Sequence, residues 1–169
     1  MGFKAVRLIK DFKMLVPGEQ DRIFPLLCPV RENEWLPYWS CEIVHSDSGK
    51  AEKDCVFITN FPDRGDMIWV TTKYDPPNNI QYTIFKPNSH VWNIEIFLEQ
   101  QKPNKTQLLW QHTFTGLTPS GNKYLAEYTD AKHRSHLRLI EKALNHFVDT
   151  GKMIGDSEFS EDRQDNRCR

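Results

Sequence analysis

The sequence predicts an α+β domain: one strand, two short helices, six further antiparallel strands in close order, and one long C-terminal helix. Three observations carry this. Six segments between Trp39 and Gly116 alternate apolar and polar residues with the period of two that a half-buried strand requires. The links between them are short and rich in Gly, Pro, Asn and Asp, so sequence neighbours pair directly, without the long crossovers that parallel strands need. After Pro119 no proline occurs as far as Thr150, and apolar residues recur there at helical spacing.

The elements follow in order. Residues 3–15 alternate loosely and end at Pro17-Gly18, a turn pair, which gives the first strand. Residues 19–27 make a short helix with Ile23, Leu26 and Leu27 on one face; Pro25 lies near its start, where proline is tolerated. Pro29 stops it, and residues 30–36 form a second short helix before Pro37. The strands then read WSCEIVHS, CVFITN, DMIWVTTKY, NIQYTIF, HVWNIEIFLE and TQLLWQHTFTG, separated by SDSGK, FPDRG, DPPNN, KPNS and QKPNK.

Parity assigns faces within them. Ile80, Tyr82 and Ile84 share one, as do Trp92, Ile94, Ile96 and Leu98, and as do Leu108, Trp110, His112 and Phe114. In DMIWVTTKY, Trp69 and Val70 compete for the inner side.

The closing helix is predicted over 118–150, with Thr118 as N-cap, Pro119 in the first turn and Gly151 as C-terminal cap. At ~1.5 Å per residue it would be about 45 Å long. Its first half presents Gly121, Tyr124, Leu125, Tyr128 and Ala131. Its second presents Leu137, Ile140, Ala143, Leu144, Phe147 and Val148, which are ordinary packing residues. A single domain over 1–154 and a polar, disordered tail over 155–169 complete the expectation.

Composition narrows the function. The 169 residues carry 22 Lys+Arg against 23 Asp+Glu, and no basic block stands out, which argues against a nucleic-acid partner. Lys4, Arg7, Lys10, Asp11 and Lys13 interrupt the apolar residues of the opening segment, so it reads as neither signal peptide nor membrane span. Cys28, Cys41, Cys55 and Cys168 show no C-x-x-C spacing, and reduced thiols in the cytoplasm are expected. No P-loop, dinucleotide fingerprint or G-x-S-x-G occurs, so no cofactor is expected. Hydrophobic content is 38% but aromatic content is 12%, so the apolar material comes as few, large side chains that suit a wide interior.

The strings FPLLCPVRENEWLP, EIVHSDSGKAEKDCVF, WVTTKYDPP, WQHTFTGLTPSGN and EKALNHF, with the element order around them, span residues 3–150. In these the chain resembles the START/Bet v 1-like superfamily (the SRPBCC or polyketide cyclase-like group), and within it a bacterial branch of uncharacterised SRPBCC proteins. The resemblance implies a helix-grip fold, a curved sheet wrapped around the long helix with a cavity between them. It also implies that the two short helices form a V closing one end of the sheet, with the prolines setting its elbow. Trp35, Tyr38 and Trp39 would then line or plug that end of the cavity, or simply seal the core.

Among polar residues on predicted inner faces, His112 stands between Trp110 and Phe114 and is the only catalytic candidate. It could orient a ligand or act as a base, or it could be a packed core histidine. No acidic residue shares its strand face. His133 and His136, three apart with Asp130 nearby, have a zinc-compatible spacing, but their charged neighbours point to a solvated face, and no metal is expected. Glu32 and Glu34, with Arg31, read as rim charges. Tyr82, Tyr124 and Tyr128 can offer hydroxyls to a cavity or merely pack their rings.

The expected ligand-binding set is Trp35, Trp39, Tyr82, Trp92, Ile94, Trp110, His112, Phe114, Tyr124 and Tyr128, around a small hydrophobic or amphipathic molecule that is lipid-like or polycyclic. Two alternatives remain open. One is a cyclase- or dehydratase-like enzyme using the same cavity, for which no acid/base pair is visible. The other is a co-chaperone-like interaction module using Phe97 and Leu109 on the outer face. The oligomeric state is not readable from the sequence.

Overall fold

A computed structural model of the chain describes residues 2–61 and 65–159. The strands are β1 (Arg7–Pro17), β2 (Cys41–His45), β3 (Val56–Phe61), β4 (Gly65–Asp75), β5 (Asn79–Lys86), β6 (His90–Lys102) and β7 (Lys105–Gly116). They form one antiparallel sheet in the order β1-β7-β6-β5-β4-β3-β2, so the predicted meander is present and the first strand closes against the last. Inner-face partners stack across it: Tyr82 faces Ile94, Ile94 faces His112, and Trp92 lies between Ile84 and Phe114. The predicted parity therefore holds for β5, β6 and β7. In β4 the competition resolves in favour of Trp69, which is buried between Phe57 and Ile84 and donates to Thr59 Oγ1 at 2.8 Å.

Between β1 and β2 the chain makes α1 (Gln20–Ile23), a 3₁₀ turn (Phe24–Leu27) and α2 (Pro29–Glu32). Pro29 ends the preceding turn as expected, with Cys28 extended before it, and itself occupies the first turn of α2, where its missing N–H is one of the unpaired donors anyway; α2 ends at Glu32 rather than at 36. Ring donors tie this segment to its surroundings. Trp35 Nε1 donates to the Leu26 carbonyl, Trp39 Nε1 to that of Pro29, and Tyr82 Oη to that of Leu27, at 2.8–2.9 Å. The prolines and large aromatics thus form a rigid elbow whose free carbonyls are satisfied by ring N–H and O–H groups.

The expected single closing helix is two: α3 (Pro119–Glu127) and α4 (Asp130–Thr150). The break has a local cause. Thr129 is extended and its side chain accepts from Lys132 N, with Asp130 in the first turn, so a second N-cap competes with continuation of α3. Gly121 permits a close approach: a Cβ there would stand 1.8 Å from the carbonyl oxygen of Ser89 in the β5–β6 turn. Helix α4 lies along β1, where Glu141 accepts from Leu15 N and Asn145 donates to Leu15 O. Lys10 and Asp130 form an ion pair across the same seam. The edge strand's backbone is thereby partly covered.

The expectation of a structureless segment from 155 onward is corrected over its first residues. Residues 156–159 form a helical turn, Phe159 N donates to Gly155 O, and the Phe159 side chain is buried. The rest of that tail, Cys168 in it, and residues 62–64 of the FPDRG turn lie outside the described residues. Among the described residues no helix is long and apolar enough to cross a membrane.

Candidate ligand cavity

A cavity of about 230 Å³ lies between the concave face of the sheet and α4. Its sheet wall includes Trp69, Tyr82, Trp92 and Trp110; Leu137 and Ile140 of α4 face them, and Trp39 and Phe159 stand at its end. Alternation along each strand delivers these rings to one face, and cross-strand pairing brings them into contact. Phe57 stacks on Trp69 with centroids 5.3 Å apart, Tyr82 packs edge-on to Trp69 at 6.0 Å, and Trp92 stacks on Phe114 at 5.1 Å.

Polar atoms in this wall fall into two groups. The ring donors of Trp39, Trp69 and Tyr82 are spent on protein acceptors. By contrast, Trp92 Nε1, Trp110 Nε1 and both ring nitrogens of His112 are buried with no hydrogen-bond partner among the described residues. His112 is only 1% exposed, and its ring lies 5.2 Å from that of Trp92 and 4.8 Å from that of His133. Burial, reinforced by His133 and His136, holds its pKa well below the ordinary imidazole value, so it is neutral.

Two expectations about charged residues are overturned. Glu32 is no rim charge: it is 9% exposed and lines the cavity, while Arg31 and Glu34 pair with each other at 2.5 Å, both partly exposed. The Glu32 carboxyl has no hydrogen-bond or ion-pair partner among the described residues, and burial alone pushes its pKa up to about 8. At neutral pH it is a carboxylic acid. His133 is not on a solvated face either. It is 2% exposed, its Nδ1 lies 3.2 Å from Tyr128 Oη, and burial lowers its pKa to about 4. His133 lies four residues before Leu137 and seven before Ile140, on the stripe of α4 that faces the sheet. The described residues contain no cluster of His, Cys, Asp and Glu that could hold a metal ion.

A second cavity of about 300 Å³ adjoins the first beneath α3, with Met67, Trp92 and His136 bordering both. Lys86, His90, Phe114, Tyr124, Tyr128 and Lys132 line it. The His90 ring stacks on Tyr124 at 4.9 Å, and burial beside Lys86 lowers the His90 pKa to about 4.

The predicted site residues thus separate. Trp39, Tyr82, Trp92, Ile94, Trp110 and His112 line the first cavity; Phe114, Tyr124 and Tyr128, with Trp92 again, line the second. Trp35 lines neither. It is fully buried behind the elbow, and its Nε1 is used by Leu26, so of the two roles open to it the structure selects the core seal. Sequence reasoning missed Glu32, Phe57, Met67, Trp69, His90 and His136. For Phe57 and Trp69 strand parity was a usable signal; for Glu32 there was none, because its surroundings come from distant strands. On the outer face Phe97 is partly exposed, with Lys73 Nζ 6.0 Å above its ring.

The chain matches no protein-family profile, and no curated protein matches it in sequence. Solved structures do match in shape. Norcoclaurine synthase from Thalictrum flavum, in complex with dopamine and hydroxybenzaldehyde, superposes with a TM-score of 0.64 at 12% identity, over 85% of this chain and 87% of that one. CalU16 from Micromonospora echinospora gives 0.61 at 13% identity over 95% and 92%. The Mll3558 protein from Rhizobium loti gives 0.60 at 13% identity over 85% and 99%. The chain has the Bet v 1-like helix-grip fold: a seven-stranded curved sheet, short helices, and a long helix near the C-terminus.

Proposed function

We propose that this chain binds a small amphipathic molecule with an apolar, largely aromatic body in the cavity between the sheet and α4. The observation that carries this reading is the set of unpartnered buried polar atoms in an aromatic wall: Trp92 Nε1, Trp110 Nε1 and the His112 ring nitrogens. Each unsatisfied group costs about 1–3 kcal/mol, and polar groups this deep normally have partners. A ligand carrying acceptors at its polar end would supply them. The void argues the same way. At about 24 cal/mol per Å³, 230 Å³ of empty apolar space would cost roughly 5 kcal/mol, a large share of a domain's ~5–15 kcal/mol. Norcoclaurine synthase, of similar fold, is seen with two small aromatic compounds, which supports a ligand of that size.

The test is the mass of freshly purified protein under native conditions against its denatured mass, for the natural chain and for Ile140→Trp, which fills the cavity from α4. An added mass that organic solvent releases, and that the variant lacks, is the expected result. A bare polypeptide that also gains no thermal stability from any of a panel of small aromatic compounds would sink the reading.

One observation favours a second reading, an enzyme moving protons on a carbonyl compound. Glu32, held protonated, and His112, held neutral, line one cavity with pKa values displaced in opposite directions. His112 would take a proton from carbon while Glu32 gave one to the carbonyl oxygen, yielding the enol. Deuterium uptake from D2O into an added aromatic ketone should then depend on the protein and vanish in His112→Ala. Uptake at the same rate in that variant would dispose of it.

A further inference from the structure

We infer that the cavity's ligand is an organic cation, an ammonium on an apolar body, whose charge sits between the Glu32 carboxyl and a cage of the Trp39, Phe57, Trp69 and Tyr82 rings. This rests on the binding reading above and names the ligand's chemical class. The four rings line the cavity together with Glu32. Trp39 and Trp69 are 5.6 Å apart at 80°, Phe57 and Tyr82 5.8 Å apart at 88°, and Trp69 and Tyr82 6.0 Å apart at 75°. Phe57 and Trp69 stack on each other, while Trp39 and Tyr82 stand nearly perpendicular to them, so the lining combines rings in two orientations. Ring faces carry the negative side of the aromatic quadrupole, which attracts cations and is most effective where water is excluded.

The charge inventory points the same way. Among the described residues lining this cavity Glu32 is the only acid, and no lysine or arginine joins it. The Arg31 charge beside it is committed, and three titratable neighbours are held neutral. On its own helix Arg31 pairs with Glu34. From β2 the Cys41 thiol, and from β5 the Tyr82 phenol, have pKa values raised by burial and by Glu32 itself. Across the cavity His112 of β7 is held neutral by burial, and His136 of α4 borders the space. Among the described residues none supplies a counter-ion to Glu32, so the free carboxyl keeps a proton up to about pH 8. A guest cation would supply the missing partner and expel that proton.

The linkage has a definite sign. A cation binds the ionised carboxyl, which with a pKa of about 8 makes up roughly 1% of the protein at pH 6 and half at pH 8, so affinity should rise roughly 50-fold over that interval. A neutral ligand accepting a hydrogen bond from the protonated acid would show the opposite trend. Benzyltrimethylammonium, whose own charge does not titrate, and its uncharged isostere neopentylbenzene are suitable probes. Titration calorimetry at pH 6 and pH 8, in two buffers of different ionisation enthalpy, measures affinity and proton release together.

The expected result is cation binding that tightens roughly 50-fold with pH and releases protons at pH 6. Glu32→Gln should weaken the cation at pH 8, abolish its pH dependence, and leave the isostere unaffected. That variant replaces an uncharged acid by an uncharged amide of the same size, and retention of its melting temperature at pH 6 shows that it folds. Isostere binding as tight as the cation, without pH dependence, would overturn the cation assignment while leaving the binding reading standing. Cation binding that Glu32→Gln does not change would overturn the role of the carboxyl. Failure of both probes to bind up to their solubility limits would overturn the cation assignment and leave the binding reading, which rests on acceptors for Trp92 and Trp110, to its own mass measurement.

Discussion

Replacing Glu32 by glutamine should flatten the neutral-to-alkaline limb of the stability curve. In the unfolded chain this carboxyl titrates near its ordinary value of 4.5, whereas in the fold burial holds it to about 8. Below pH 4.5 both states are protonated and the acid imposes no penalty. Between 4.5 and 8 the unfolded state releases a proton that the folded state retains, so stability falls as pH rises, by about 1.4 kcal/mol per unit, and levels off above 8. From pH 5 to pH 8 the loss from this one group comes to about 3–4 kcal/mol. For a domain of this size that corresponds to a fall in melting temperature of roughly 10 °C. Glutamine cannot ionise and should escape it. Urea denaturation of the natural chain and of Glu32→Gln at half-unit steps from pH 5 to pH 9 measures the difference. Histidine titrations are common to both proteins and cancel. Two curves that run parallel within about 0.5 kcal/mol would refute the buried, unpartnered carboxyl and the cavity chemistry built upon it.

Other perturbations probe different parts of the same architecture. His133, neutral down to about pH 4 in the fold but protonated below its ordinary 6.5 in the unfolded chain, withdraws stability as pH falls through that window; His133→Gln should lessen the acid loss of stability, read as a smaller drop in urea midpoint from pH 7 to pH 4.5. Trp35→Phe removes the donor to the Leu26 carbonyl and should cost about 1–3 kcal/mol by denaturant titration without changing ligand affinity, because this ring lies outside both cavities. Gly121→Ala drives a methyl group into the Ser89 carbonyl and should cost roughly 1–3 kcal/mol or more, with a matching loss of melting temperature. Thr129→Ala removes the N-cap of α4 and should cost about 1 kcal/mol, seen in the same denaturation assay.

The strands were legible because their signal is local. Period-two alternation in β5, β6 and β7 assigns each side chain to a face before anything is known of what that face meets, so Tyr82, Trp92, Trp110 and His112 could be named as inward-facing together. The break between α3 and α4 was also local, in Thr129 and Asp130, but an uninterrupted run without proline hid it. His133 was legible as well, since it stands four and seven residues before Leu137 and Ile140 on the stripe that packs inward, but its charged neighbours obscured that spacing.

What the sequence by itself determined is therefore the order of elements, the meander and the aromatic inner face, since each follows from the spacing of apolar residues and the chemistry of the turns. Only the tertiary structure decided which of those residues meet a common space, that Trp35 stands behind it, and that Glu32 stands within it. The reason is physical. Whether a carboxyl is charged depends on the water and partners around it, and for Glu32 these are governed by rings on β3, β4 and β5 brought close by folding.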